Sequence, residues 1–193
     1  AAIAQTNIKR MLAYSTISHM GFFLCGILAG TEVGYSASLF YVLIYAIMSM
    51  AAFGVILYLA GKNKESDQLD DLKGLSRRSP WIAFLLLILM FSMAGVPPTA
   101  GFFAKFSVIQ ALIEADLVWV AVIAVIAAVI GAFYYLRIIK LEYFDAPETE
   151  EPVLPAAGMS TVLTVNVLLI VAILPWVCSL LALCSEVIRQ FAV

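Results

Sequence analysis

The sequence predicts an all-α integral membrane protein of about five transmembrane helices, one of them discontinuous. Three observations carry this. First, 64% of the 193 residues are hydrophobic and only 12% are charged, about half the charged share of a soluble domain, and the mean hydropathy is +1.04. Second, charge clusters separate apolar runs of about 20 residues, the length a helix needs to cross a hydrocarbon core about 30 Å thick. Third, residues 80–114 carry only Lys105 and Glu114 as charges yet hold two glycines and two prolines at their centre. This composition excludes an ordinary soluble enzyme, a disordered tail and a nucleic-acid binder, because 11 Lys+Arg against 13 Asp+Glu leave no basic excess.

The first apolar run covers residues 11–30, behind Lys9 and Arg10, and a short loop with Glu32 follows. Residues 38–61 form the second run. The most polar stretch is 62–79, with Lys62, Lys64, Lys73, Arg77 and Arg78 against Glu65, Asp67, Asp70 and Asp71. Pro80 suits the first turn of a new helix, with Ser79 as its N-cap. A straight helix over 80–114 would measure about 52 Å, far more than the hydrocarbon core. Gly95, Val96, Pro97, Pro98, Thr99, Ala100 and Gly101 lie in its middle and cannot continue an ideal helix. The stretch is either two spans or one span broken at 95–101. Residues 117–139 form the next span, followed by an acidic, proline-rich loop within 140–157. Residues 159–184 form the last span, kinked at Pro175.

Charge placement decides between one crossing and two. If 80–114 crosses once, all basic residues but Lys105 and Arg189 fall on one side, which the positive-inside rule makes cytoplasmic. The N-terminal end and loops 62–79 and 140–157 then share that side, and Glu32, Glu114, Asp116 and Glu186 face the other. Two crossings would weaken the asymmetry. The expectation is therefore five crossings in a single transmembrane domain over residues 1–193. The chain opens at Ala1 inside what reads as a structured segment, with no starting Met and no signal peptide, which suits the C-terminal part of a longer membrane protein. Cys25, Cys178 and Cys184 sit in apolar runs and read as packing residues.

A broken membrane helix frees backbone groups that protein or water must satisfy, and such breaks line ion and substrate paths in transporters. Proline also occurs as a simple kink, so the break alone decides little. Lys105 sharpens it. It follows the break among Phe102, Phe103 and Phe106, nine residues from the nearest acid in sequence, Glu114. A lysine at mid-depth costs about 3 kcal/mol on insertion scales, and a group able to gain and lose a proton there is what a proton carrier needs. The alternative is a lysine that snorkels to an interface. His19, the single histidine, lies in the most hydrophilic part of any span, beside Tyr14, Ser15, Thr16 and Ser18. Ser15 and His19 share a helix face, and an imidazole can pass a proton from one nitrogen to the other. The alternatives are a hydrogen-bonded core histidine or a metal ligand separated from its companions. Tyr134 and Tyr135, just before Arg137, read as an interfacial aromatic belt. Ser49 and Asn166 read as helix–helix hydrogen-bonding residues. The sequence holds no phosphate-binding glycine loop, no paired catalytic carboxylates, no metal-ligand spacing and no nucleophile with a base.

Residues 5–21, from Gln5 through Tyr14, Ser15, Ser18 and His19 to Gly21, resemble the signature stretch of the antiporter-like membrane subunits of respiratory complex I. Residues 94–106, from Ala94 through Pro97 and Pro98 to Phe106, resemble the broken helix of the same subunits, and Phe133, Tyr134, Tyr135, Leu136 and Arg137 match a third stretch. With their spacing, these motifs cover nearly the whole chain. The resemblance implies the second antiporter-like repeat plus a terminal helix, without a long lateral helix. It implies a non-redox translocase subunit with no catalytic centre of its own, acting in a bacterial inner membrane. Lys105 and His19 would be proton-transfer residues, Gly95, Pro97, Pro98 and Gly101 the broken helix, and Ser15, Ser18 and Tyr135 lining of a polar axis. No cofactor or metal is expected on this chain; NADH, flavin, iron–sulfur clusters and quinone belong elsewhere in such a complex. The implied partners are other membrane subunits, the N-terminal half of the same subunit and lipid. Subunits of multisubunit Na+/H+ antiporters and membrane-bound hydrogenases share these motifs. A structural membrane spacer is the third reading.

Overall fold

The computed structural model describes residues 1–60, 67–147 and 158–191. Helices account for the architecture: α1 Ile8–Leu28, α2 Glu32–Ala60, α3 Leu75–Arg78, α4 Pro80–Ala94, α5 Ala100–Glu114, α6 Val118–Tyr143, α7 Met159–Ala172 and α8 Val177–Phe191. Among the described residues the only extended pairing is one bridge between Asn7 and Gln68. The protein is an all-α integral membrane protein. Ile8–Leu28, Glu32–Leu59, Val118–Tyr143 and Leu174–Phe191 are each long and apolar enough to cross a bilayer.

Most of the charged part of the 62–79 loop lies near one end of the bundle; residues 61–66 fall outside the described residues, as do 148–157 of the acidic loop. At this end the chain start is stitched to the loop. Ile8 N–H donates to the Asp67 carbonyl at 2.8 Å, and Leu69 N–H to that of Thr6 at 2.8 Å. Arg137 donates to the Ile3 carbonyl at 3.1 Å, and Gly74 N–H to that of Leu141 at 3.0 Å. Asn7 caps α1 through the Arg10 N–H. Lys9, Arg10, Lys73, Arg77, Arg78, Arg137 and Lys140 therefore gather on one end. At the other end Glu32 opens α2 and pairs with Arg189 near the end of α8.

α2 begins at Glu32, earlier than its apolar run, because an acid suits a helix N-terminus. It serves as the ruler of the bundle. Read from its C-terminal end, Leu163 of α7 lies against Gly54, while Ser185 of α8 donates to Glu32 at 3.4 Å. So α7, the 3-10 turn Leu174–Trp176 at Pro175, and α8 form one bent descent along α2, and it continues to Phe191 rather than stopping at 184.

The same ruler shows how α4 and α5 cross. Trp81 donates to Thr164 at 2.9 Å, at the level of Gly54. Ser92 contacts Met48. Ser107 and Gln110 line a cleft with Val33 and Ser36. The two 15-residue helices thus pass α2 in one direction as a single interrupted span, each about 22 Å long.

Candidate proton-transfer site

The interruption builds the site. α4 ends where Gly95 takes φ +85°, and the N–H groups of Gly95 and Val96 turn back onto the Phe91 carbonyl. α5 starts with Thr99 as N-cap, its hydroxyl oxygen accepting from Phe102 N–H at 3.3 Å. The last carbonyls of α4 have no helical partner. Lys105 supplies one: Nζ donates to Met93 O at 3.0 Å and to Ala94 O at 2.9 Å. A cation at the negative end of a helix dipole is favourable. Lys105 forms no ion pair with a carboxylate among the described residues.

Two glycines make this approach possible. A Cβ on Gly95 would lie 2.9 Å from Lys105 Cδ. A Cβ on Gly101, the second residue of α5, would run into the Ser92 carbonyl. Gly101 therefore belongs to the contact between the half-helices, and the break proper is Gly95 to Thr99, with Pro97 and Pro98 inside it. A cavity of about 370 Å³, lined by Gly95, Pro97, Phe102, Lys105 and Ala128 among others, opens beside it.

The second part of the site surrounds His19. Ser15 and His19 are 0% and 3% exposed. His19 Nδ1 lies 2.7 Å from the Tyr41 hydroxyl and Nε2 2.9 Å from the Tyr135 hydroxyl. The Tyr135 hydroxyl is also hydrogen-bonded to Ser15 Oγ. Tyr45 stacks on the imidazole, with centroids 4.6 Å apart, and donates to Thr16 at 2.8 Å. Ser15, Tyr135, His19 and Tyr41 thus form one hydrogen-bonded chain across α1, α6 and α2. A neutral imidazole donates from one nitrogen and accepts at the other. With the proton on Nε2, Tyr41 donates to Nδ1 and Tyr135 passes its hydrogen to Ser15. With the proton on Nδ1, every bond in the chain reverses. Each order keeps all three bonds and leaves one end hydroxyl hydrogen pointing out of the chain, that of Ser15 in the first order and that of Tyr41 in the second.

Phe22 joins the two parts. Its ring stacks on Tyr41, centroids 5.8 Å apart with planes 7° from parallel, and Lys105 Nζ lies 5.4 Å from its centroid. Among the described residues no group of three His, Cys, Asp or Glu side chains comes together to hold a metal ion.

Several expectations change. Tyr134 and Tyr135 are buried, at 5% and 1% exposure, because α6 runs two turns past them to Tyr143; they are not a belt at its end. Ser18 is half-buried and lines a separate groove with Tyr14, Ile17 and Ile130. Ser49 donates to Ala46 of its own helix at 3.0 Å, and the buried Asn166 Oδ1 has no hydrogen-bond partner. Tyr41, Tyr45 and Phe22 escaped the sequence reading, although Tyr41 and Tyr45 stand one helical turn apart in an apolar run. Glu142 escaped it too: it is fully buried, with both carboxyl oxygens unpartnered.

Residues 1–131 match the family model described as "NADH:quinone oxidoreductase/Mrp antiporter, TM". The chain belongs to this family. Among relatives, it is 57% identical over 172 residues to NADH-quinone oxidoreductase subunit N of Thioalkalivibrio sulfidiphilus, covering 89% of this chain and 36% of that protein. The fold resembles a chain of the membrane-bound sulfane sulfur reductase, an archaeal respiratory membrane complex, with TM-score 0.86, 29% identity, and 97% of this chain and 38% of that chain covered. It also resembles a chain of respiratory complex I from Thermus thermophilus, with TM-score 0.76, 28% identity, and 89% and 39% covered. The chain thus spans under two-fifths of the length of these family members. The family match includes α1, α2 and the α4–α5 break, and so the site residues named above except Tyr135, which lies beyond residue 131.

Proposed function

We propose that this chain is part of a proton-translocating, non-redox membrane subunit of a bacterial NADH:quinone oxidoreductase, lying in the inner membrane with its basic end on the cytoplasmic side. The observation that carries the reading is Lys105: an ammonium at a helix break inside the bundle, held by two backbone carbonyls, next to a reversible hydrogen-bonded chain. The 57% identity to a subunit N supports the assignment to this enzyme class.

Lys105 Nζ holds a proton on the α4 carbonyls and releases it when the surrounding charge changes. His19 takes a proton at one nitrogen and gives one up from the other, and Tyr41, Tyr135 and Ser15 turn over in step. Backbone carbonyls fix where the ammonium sits but do not carry its proton away. Buried titrating groups this close act as a coupled set. Quinone reduction elsewhere in the assembly supplies the change in charge, and NADH, flavin and iron–sulfur chemistry belong to other subunits. The remainder of the same subunit, neighbouring membrane subunits and lipid are the partners.

The test places Lys105→Ala in the full-length subunit and records NADH oxidation by quinone and the proton gradient together in sealed vesicles. The reading expects assembly with loss of pumping. Normal pumping at normal turnover would return the chain to a structural spacer. The family match also names Mrp antiporters, which favours Na+/H+ exchange as a second reading. That reading expects a gradient response to Na+ and co-purification with membrane subunits alone.

A further inference from the structure

We propose that the Phe22 ring is the barrier that separates the two proton-handling parts of the site. The inference rests on the reading of Lys105 and His19 given above. Phe22 follows His19 by three residues on α1 and so shares its face. Its ring is 4% exposed. One contact lies toward Lys105, whose ammonium is 5.4 Å from the ring centroid. Another is Tyr41, stacked at 5.8 Å, and Tyr41 holds His19 Nδ1 at 2.7 Å.

No hydrogen bond among the described residues joins Lys105 to the chain of Ser15, Tyr135, His19 and Tyr41. The Lys105 partners, Met93 O and Ala94 O, belong to the helix end and lead nowhere further. A proton needs a continuous line of donors and acceptors, and a phenyl ring offers neither. Passage between Lys105 and His19 therefore needs water between them, and the Phe22 ring stands at the junction. A change of side-chain rotamer opens the space and its return closes it. Side chains occupy a few discrete staggered wells, so the ring would clear or block the space in discrete steps. A barrier of this kind stops a proton on one part from slipping back to the other while the charge state elsewhere is unchanged. Phe22 is a positioning residue, since it carries no proton itself.

The test uses Phe22→Ala and Phe22→Leu in the full-length subunit of the assembled complex, reconstituted in sealed vesicles with a trapped pH dye. Three quantities are read: NADH oxidation, the gradient it builds, and passive decay of an imposed gradient without NADH. For Phe22→Ala the expected result is near-normal oxidation, a lower gradient, and decay several-fold faster than wild type. Adding Lys105→Ala to Phe22→Ala should return the decay to the wild-type rate. Phe22→Leu fills the space with an apolar side chain and should keep both gradient and slow decay. Loss of pumping in Phe22→Leu equal to that in Phe22→Ala would overturn the barrier, because it would show that the ring acts by gripping the ammonium. Wild-type gradient and decay in Phe22→Ala would overturn it too. If Phe22→Ala does not assemble, Phe22→Val makes the same comparison. Normal pumping in Lys105→Ala and His19→Ala alone would instead sink the underlying site, so the two failures are distinct.

Discussion

The ammonium of Lys105 lies 2.9 Å from the carbonyl oxygen of Ala94, the last residue of α4. A side chain from the second half-helix thus finishes the hydrogen bonding of the first. The break and the cation depend on each other: without the break there are no free carbonyls, and without the cation they stay unpaired inside the bundle.

The glycines at this contact should therefore be intolerant of a methyl group. Gly101→Ala drives a Cβ into the Ser92 carbonyl, and Gly95→Ala adds crowding against Lys105 to a left-handed backbone. The left-handed conformation alone costs a non-glycine residue about 1–2 kcal/mol. Both variants should lower the thermal transition of the purified complex and its pumping. Gly21→Ala, with nothing within 4 Å of its Cβ, should behave as wild type. Equal melting of all three would show that the contact is not needed.

Tyr135→Phe removes the hydroxyl that links Ser15 to His19. A lost buried hydrogen bond costs about 1–3 kcal/mol when a partner is left unsatisfied, so the complex should assemble with modest destabilisation. Proton delivery per NADH should fall clearly. Tyr45→Phe keeps the stacking on His19 and loses only the bond to Thr16, so it should pump nearly normally. The comparison is made by recording dye response against NADH consumed.

The charge asymmetry of the two ends gives a prediction about sidedness. Arg77 belongs to the basic end, and Asp116 is exposed at the other. In a background freed of native cysteines, Arg77→Cys should react with a membrane-impermeant thiol reagent only from the cytoplasmic side. Asp116→Cys should react only from the opposite side. The reverse pattern would invert the orientation.

Much of this was legible in the sequence because it rests on local chemistry. Gly95, Pro97 and Pro98 interrupt a helix whatever packs around them, and the surplus length of 80–114 demanded such an interruption. Lys105 stood out because a charge among phenylalanines is costly in lipid. The pairing of Ser15 with His19 followed from helix spacing, and both prove buried together. What failed depended on other helices. Nothing in the α2 run says that Tyr41 and Tyr45 meet His19, since that is decided by how α1 crosses α2. Arg137 suggests a helix end and hence an interfacial belt at Tyr134 and Tyr135, whereas α6 continues to Tyr143 under the loop that holds Gly74; only the family resemblance points Tyr135 toward a polar axis. Ser18 shares the polar stretch of His19 but points to another face, since adjacent helical residues stand about 100° apart, just over a quarter of a turn.

The most direct test of the account is Lys105→Arg in the full-length subunit. Arginine keeps the charge and the donors for Met93 O and Ala94 O but does not give up its proton in a protein. The measurement is the proton gradient formed per NADH oxidised in sealed vesicles. If Lys105 carries protons, the variant assembles and its gradient collapses. If Lys105 only completes the end of α4, Lys105→Arg pumps like wild type, and that result contradicts the account.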